Sequence, residues 1–380
     1  MWMKQIVMLL VAALTLAVVS CTHVAPDDSA VREKPLRVGY YVGAGSSGAG
    51  VFLLGRLLAF SPQVELTLLD GRDVRAGGLA GKDLLVVPGG SSSAHYKGLG
   101  EEGAKAIRRF VAEGGAYFGV CAGFSCALNR DQRFKLLPYT STFGSAGMRA
   151  SLAIDLSEKA AERLEVPAGR YIVCYSRGPL ARRCEQPGDG WAEELAVYRN
   201  AVAWPKITFE GVPAMLYGEF GKGKVIATSF HPEYFVSTHP IALGCVYAVT
   251  GIRPKPVFPA KARNRTRVAY LLNGVGGNKH WVAQCLALEA CRDLDLTVST
   301  TLDEGLLDHV DVLVCPSRNG QVYKRLFQDQ NFVAQLAHFA ERGGKILVSE
   351  AGMPSAPAEW KAQAFPNGGS AVDAVRRLAR

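Results

Sequence analysis

Residues 114 to 127 read GGAYFGVCAGFSCA, and the cysteine inside this stretch decides how the rest of the chain is read. An apolar run over residues 116 to 120 leads straight into Cys121, and Gly119, Ala122 and Gly123 surround it with almost no side chain. A buried structural thiol needs no such clearance. A nucleophile on a sharp strand-to-helix turn does, because bulk beside it would block the turn and the approach of a substrate.

Upstream, EEGAKAIRRFVAEGG (101 to 115) places Ala104, Ile107 and Val111 at helical spacing and stops on glycines. LRVGYYV (36 to 42), VELTLLD (64 to 70) and DLLVVPGG (83 to 90) read as strands, and VFLLGRLLAF (51 to 60) as a helix. Strands alternating with helices give an α/β fold with a mostly parallel sheet covered on both faces. Such sheets bind ligands at the carboxyl ends of their strands, where Cys121 falls.

The pattern then recurs. RVGYYVGAGSS at 37 is echoed by RVAYLLNGVGG at 267, DLLVVPGGSSSAHYKGL at 83 by DVLVCPSRNGQVYKRL at 311, and FVAEGGAYFGVCAG at 110 by FAERGGKILVSEAG at 339. Offsets of 230, 228 and 229 residues describe a duplicated α/β unit. The second unit is truncated, with Glu350 where the first has Cys121 and Ser317–Arg318 where the first has Gly89–Gly90. It reads as a degenerate copy without the nucleophile.

Two further elements give the cysteine its chemistry. VVPGGSSS puts Gly89 and Gly90 just past a strand, where unhindered N–H groups suit a developing oxyanion, with the amide of Ala122 as second donor. GKGKVIATSFHPEY (221 to 234) supplies a hairpin, a strand and then His231 and Glu233. His231 can act as the base for Cys121, and Glu233 can orient the imidazole.

Cys121 in GVCAG, the PGG turn before it and SFHPE after it, in that order, resemble the class I glutamine amidotransferases. The run from VPGG to FSCA is most similar to their biotin-protein ligase N-terminal-like branch. The resemblance implies a flavodoxin-like doubly wound sheet. It also implies a Cys-His-Glu triad that cleaves a side-chain amide through a thioester. Carried over by residue, Cys121 is the nucleophile, His231 the base and acid, and Glu233 the orienting carboxylate. Gly89, Gly90 and Ala122 form the oxyanion pocket. The branch usually has an aromatic soon after the elbow glycine in a CAGaY-like pattern, whereas here Phe124 comes directly after Gly123 and Ser125 and Cys126 follow, so the pocket wall differs. Arg177 in YSRGP reads either as a carboxylate-binding residue or as a solvated loop arginine, and His95 and Tyr96 either as pocket residues or as structural ones. A related protease and stress-protein group follows its nucleophile with histidine, where this chain has Ala122.

The N-terminus reads as an export signal: one early lysine, an apolar run from Ile6 to Val19, then Ser20–Cys21. Val18–Val19–Ser20–Cys21 resembles the bacterial lipobox, which implies cleavage before Cys21, lipidation of that residue and a place in the cell envelope, on the outer membrane facing the periplasm. The expected divisions are a signal peptide at 1–20, a tether at 21–35, the amidotransferase-like domain at 36–252, a linker at 253–266 and the degenerate repeat at 267–380.

A net charge of +9 is spread along the 380 residues without basic–aromatic blocks, so nucleic acid is not an expected partner. The nine cysteines form no CxxC pair or zinc spacing, so no metal is expected; Cys174 and Cys184 either pair in an oxidising compartment or stay free. No biotinyl-adenylate loop and no GxxxxGK[ST] loop occurs, so a ligase activity, a nucleotide cofactor and a fused synthase are not expected. Two functions follow: a lipid-anchored Cys-dependent hydrolase of small-molecule or peptide amides, or an envelope binding or assembly protein on a retired enzyme fold.

Overall fold

The computed structural model describes residues 34–143, 149–185, 190–199, 208–272, 279–300, 302, 305–316, 328–350, 353–365 and 370–379. Cys21, the export signal and nearly all of the tether lie outside them, as do Ser317 and Arg318.

The first unit builds strands β1 (Leu36–Tyr41), β2 (Val64–Leu69), β3 (Leu84–Val87) and β4 (Ala116–Val120), followed by β5 (Tyr139–Phe143), β6 (Arg149–Leu156), β7 (Gly169–Ser176), β8 (Leu180–Arg183), β9 (Trp191–Tyr198), β10 (Pro213–Phe220) and β11 (Gly223–Thr228). Its helices are α1 (Ala49–Ala59), α2 (Gly71–Arg75), α3 (Ser92–Ala112), α4 (Ala122–Ala127), α5 (Glu158–Leu164) and α6 (His239–Thr250). Nine strands form one sheet in the order β2-β1-β3-β4-β11-β10-β9-β6-β7, and β5 and β8 pair separately. The strands from β2 to β11 run parallel, and β10, β9, β6 and β7 continue the sheet antiparallel. β3 and β4 are buried along their whole length, which is why they read as unbroken apolar runs.

Alternation within these strands feeds two cores. Val38, Tyr40, Val86, Phe118 and Val120 face one side of the sheet, and Tyr41, Leu85, Val87 and Tyr117 the other. α3 starts at Ser92, nine residues before the sequence pattern placed it, because Ser91 caps it by accepting from the Ala94 amide; Gly100 then breaks its helical geometry midway.

After a stretch without helix or strand from 252 to 265, the second unit follows with β12 (Thr266–Leu271), α7 (Lys279–Ala290), β13 (Leu294–Ser299), β14 (Val312–Cys315), α8 (Gln330–Glu341), β15 (Lys345–Ser349), β16 (Gln363–Phe365) and α9 (Ala371–Ala379). Its order, β13-β12-β14-β15-β16, repeats the first unit's β2-β1-β3-β4. A shared device makes the copy concrete. Arg37 donates from its backbone and side chain to Asp83, at 2.7 to 3.0 Å, and Arg267 does the same to Asp311, at 2.6 to 3.2 Å. Each arginine is the second residue of the first strand of its unit and each aspartate precedes the third, so one ion pair locks the same parallel register twice. The units meet where α7 packs on α1, with Arg56 on Glu289 at 3.1 Å. Glu350 stands exposed on the turn after β15.

Candidate active site

The carboxyl ends of β1, β3, β4 and β11 converge on one place. Cys121 follows β4 directly and holds φ 53° and ψ −100°, a conformation that disfavours any residue with a Cβ. Backbone strain of this kind costs about 1–3 kcal/mol and persists only where the surroundings enforce it. Here they do: the Cys121 amide donates to the Thr228 carbonyl of β11 at 2.8 Å, and its carbonyl accepts from Ser125 of α4 at 3.0 Å. The turn also needs its flanking glycines. A Cβ at Gly119 would lie 2.6 Å from the Gly123 carbonyl carbon, and one at Gly123 would run into the Val87 carbonyl of β3. The small residues around the cysteine are thus required by close backbone packing as well as by access.

His231 lies just beyond β11, with its amide bonded to the Cys174 carbonyl of β7 at 2.8 Å. Its Nδ1 sits 2.7 Å from Glu233 Oε1, so Nδ1 carries the proton that is donated to the carboxylate. The other nitrogen, Nε2, is buried and without a hydrogen-bond partner among the described residues. Burial acts to lower the His231 pKa, but the Glu233 carboxylate and the Cys121 sulfur outweigh it and hold the ring well above its ordinary value. Geometry and electrostatics differ on the sulfur: Cys121 acts on the His231 proton affinity as a hydrogen-bonding neighbour, whereas Sγ donates instead to the Ser176 carbonyl at 3.4 Å. In the structure Sγ is turned to the Ser176 carbonyl, and Nε2 makes no hydrogen bond among the described residues.

The loop carrying Glu233 is braced on several sides. Thr238 Oγ1 donates to the Pro232 carbonyl at 2.8 Å, His239 Nε2 lies 3.1 Å from the Glu233 carbonyl, and Tyr234 accepts from the Gly50 amide at 3.1 Å. Tyr234 also meets the His231 ring edge-on at 5.2 Å. Ser176 and Tyr234 enter the site without having been singled out by the sequence, and Cys174, read there only as a possible disulfide partner, enters through its carbonyl; the glycine of YSRGP was the one available signal for Ser176.

Gly89 lies against the pair, since a Cβ there would stand 2.6 Å from His231 Cε1 and 3.5 Å from Cys121 Cβ. Gly90, at φ 140°, is bridged to Ser46 through bonds made by its neighbours, Ser91 to Gly45 at 2.8 Å and Ser47 to Gly89 at 3.3 Å. In such a bridge the N–H of Gly90 itself points away from the 45–47 segment. Ala122 opens α4 immediately after the cysteine.

The remaining candidates fall elsewhere. Tyr96 packs on the core of the sheet face opposite to the one that holds Cys121. His95 is fully buried beside Ser46 and Cys126, and burial, helped by Arg133, lowers its pKa to about 3, so it is a neutral structural ring. Arg177 is exposed at φ 58° on the turn that follows Ser176. Cys174 and Cys184 are both free thiols. Cys121, His231 and Glu233 are 4%, 6% and 1% exposed. A cavity of about 410 Å³ opens on the loop after α4, lined by Asn129, Arg130, Asp131 and Lys135, none of them a nucleophile.

Comparison with known proteins finds relatives of the first unit. Residues 80–132, from just before β3 through the elbow and α4, match the family model described as biotin-protein ligase, N terminal. The biotin–protein ligase of Schizosaccharomyces pombe is 30% identical over 42% of this chain and 26% of its own length. The pyridoxal 5'-phosphate synthase subunit PdxT of Koribacter versatilis is 30% identical over 39% of this chain and 67% of its own. A solved glutamine amidotransferase aligns over 57% of this chain and 99% of its own, at 24% identity and a TM-score of 0.40. The chain belongs to the class I glutamine amidotransferase-like family, and within it residues 80–132 are similar to the biotin-protein ligase N-terminal model. It spans only about a quarter of the ligase it matches.

Proposed function

We propose that this chain is an exported, lipid-anchored hydrolase of amides that uses Cys121, His231 and Glu233 through a thioester. The observation that carries the reading is a strained cysteine beside a buried imidazole whose Nδ1 is committed to a carboxylate and whose Nε2 is open. In the reaction His231 Nε2 takes the thiol proton as Sγ bonds to the amide carbon. The carbonyl oxygen becomes an oxyanion, received by the N–H groups of Gly90 and Ala122. His231 then protonates the leaving nitrogen, the C–N bond breaks and an acyl thioester remains on Cys121. Water, deprotonated by the same ring, displaces the sulfur and restores the thiol. Glu233 keeps the ring in the productive tautomer and stabilises its cation. The coarse class is supported by the PdxT and ligase relatives; the substrate, anchor and envelope location are this proposal's own. Incubation with a panel of primary and secondary amides, followed by acid quench and mass spectrometry, should give an acyl mass on the Cys121 peptide that disappears in Cys121→Ser. No adduct with any amide would overturn the reading.

The near-complete burial of all three side chains favours a second reading, a binding or assembly protein on a retired site. It predicts an envelope ligand held equally well by Cys121→Ala, with no turnover.

A further inference from the structure

The second unit has Glu350 where the first has its nucleophile, yet it grips the first unit at two charged contacts. Lys279, which opens α7, donates to Asp73 of α2 at 2.5 Å and stands 3.9 Å from Asp70. Glu289, near the end of the same helix, is buried and takes two cations: Arg56 of α1 at 3.1 Å on Oε1 and Lys261 at 3.6 Å on Oε2. Lys261 also donates to the carbonyls of Glu289 at 2.7 Å and Cys291 at 3.2 Å. A buried carboxylate is costly unless it is paired, and Arg56 is the partner that belongs to the other unit. The linker seats the same end of α1. Phe258 lies under the Arg56 guanidinium at 4.4 Å, and the Val257 amide donates to the Phe60 carbonyl at 2.7 Å.

The other end of α1 lies in the site. The Gly50 amide donates to the Tyr234 hydroxyl at 3.1 Å, and the Val51 carbonyl accepts from Tyr40 at 2.6 Å. A Cβ at Gly50 would run into Glu233 Oε1 and stand 3.4 Å from His231 Nδ1, so the helix backbone rests directly against the carboxylate–imidazole pair. That contact matters because the carboxylate is otherwise lightly held. Oε1 bonds His231 Nδ1 at 2.7 Å, whereas Oε2 is buried without a hydrogen-bond partner among the described residues. Arg56 lies six residues beyond Gly50, about 9 Å along the axis, and rigid helices carry displacements between sites so spaced. A second link is electrostatic. His239 Nε2 lies 3.1 Å from the Glu233 carbonyl; burial lowers the pKa of this ring, the Glu233 carbonyl opposes that shift and the Arg56 cation reinforces it. The Arg56 charge is thus felt at a side chain that braces the Glu233 loop.

We propose that the second unit positions the triad: Glu289 holds Arg56, Arg56 seats α1, and the first turn of α1 fixes the Glu233 carboxylate against His231. The copy that lacks a nucleophile thereby takes part in the chemistry of the copy that has one. Arg56 and Glu289 are positioning residues, and neither touches the reacting atoms. The inference rests on Cys121, His231 and Glu233 acting together, and its test separates the two.

The test reads the carboxylate–imidazole pair directly. A buried Nδ1–H shared with a carboxylate gives a far-downfield proton resonance, identified in the full chain by its loss in Glu233→Gln. Arg56→Met and Glu289→Gln should each displace or broaden that resonance. Each should also slow alkylation of Cys121 by a neutral chloroacetamide about tenfold or more, since a misplacement of 1 Å can cost on the order of 100-fold. Arg56→Lys, which keeps the charge, should restore most of both. The double variant should be no slower than the slower single one, because the two substitutions break one device. Lys279→Met is the control: it removes the other ion pair between the units, which does not run through α1, and should leave resonance and rate at wild-type values. Melting curves confirm that each variant is folded. A wild-type resonance in Arg56→Met and Glu289→Gln, or an equal change in Lys279→Met, overturns the proposal. Alkylation that ignores His231→Ala overturns the nucleophile reading instead, and the resonance, which needs no reaction, still decides the positioning.

Discussion

Gly119→Ala tests the elbow by sterics alone. Gly119 has ordinary backbone geometry, so the substitution adds a methyl group without adding left-handed strain. That methyl would stand 2.6 Å from the carbonyl carbon of Gly123, 2.7 Å from its oxygen and 2.8 Å from Tyr117 Cε1, against 3.4 Å for ordinary contact. Something must therefore move by about 0.8 Å, and the neighbours offer little give. The Gly123 carbonyl already accepts from Tyr117 at 2.7 Å, and the other side of Gly123 lies on the Val87 carbonyl. The yielding element is α4, with Cys121 at its head. Overpacking of this kind costs about 1–3 kcal/mol, and at roughly 2–4 °C per kcal/mol for a domain of this size the melting point should fall by several degrees. A displacement near 1 Å at a reacting atom costs on the order of 100-fold in rate. Calorimetry and chloroacetamide alkylation of Cys121 should show both losses. Gly77→Ala is the control: open space surrounds it and only its φ of 87° is strained, so it should lose about 1–2 kcal/mol and leave alkylation untouched. Wild-type alkylation in Gly119→Ala would refute the elbow reading; equal alkylation losses in the two variants would reduce it to a stability effect.

Two further outcomes are expected. Gly50→Ala should act at Glu233, since its Cβ would run into Oε1 and stand 2.9 Å from Tyr234; Cys121 alkylation should slow while the fold is retained, as Glu233→Gln should also do. His95 is held at a pKa of about 3, below the ordinary 6.5, so between those values the unfolded chain binds a proton that the folded chain refuses. Stability attributable to this residue is therefore full above pH 6.5 and lost on acidification, by roughly 1.4 kcal/mol per pH unit down to about pH 3. Urea midpoints should fall less steeply with acid in His95→Gln than in the wild type, and parallel slopes would contradict the assignment.

Much of the first unit could be read along the chain because its strands are local signals: buried parallel strands are continuous apolar runs, and the turns after β3 and β4 are marked by glycines that backbone contact requires. The repeat was equally legible, and the Arg37–Asp83 and Arg267–Asp311 pairs give it a physical cause, one register lock used twice. The antiparallel half of the sheet, β6, β7, β9 and β10, was not legible, since β6 and β9 pair across a long separation and β6, β7 and β9 interrupt their apolar residues with exposed positions. The contribution of β7 to the site was hidden for the same reason: it acts through the backbone carbonyls of Cys174 and Ser176, which no side-chain pattern announces. Tyr96 and His95 show the converse. They follow the PGG turn closely in sequence, but the helix that Ser91 caps carries Tyr96 to the opposite core and seals His95 inside.

The central claim is that His231 serves Cys121. The most direct measurement is the rate at which a neutral chloroacetamide alkylates Cys121 at pH 7 in the wild type and in His231→Ala, both shown to be folded. A positioned general base contributes typically 10²–10⁴-fold, so the account predicts a fall of about 100-fold or more when the imidazole is removed. Equal rates in the two proteins would contradict it.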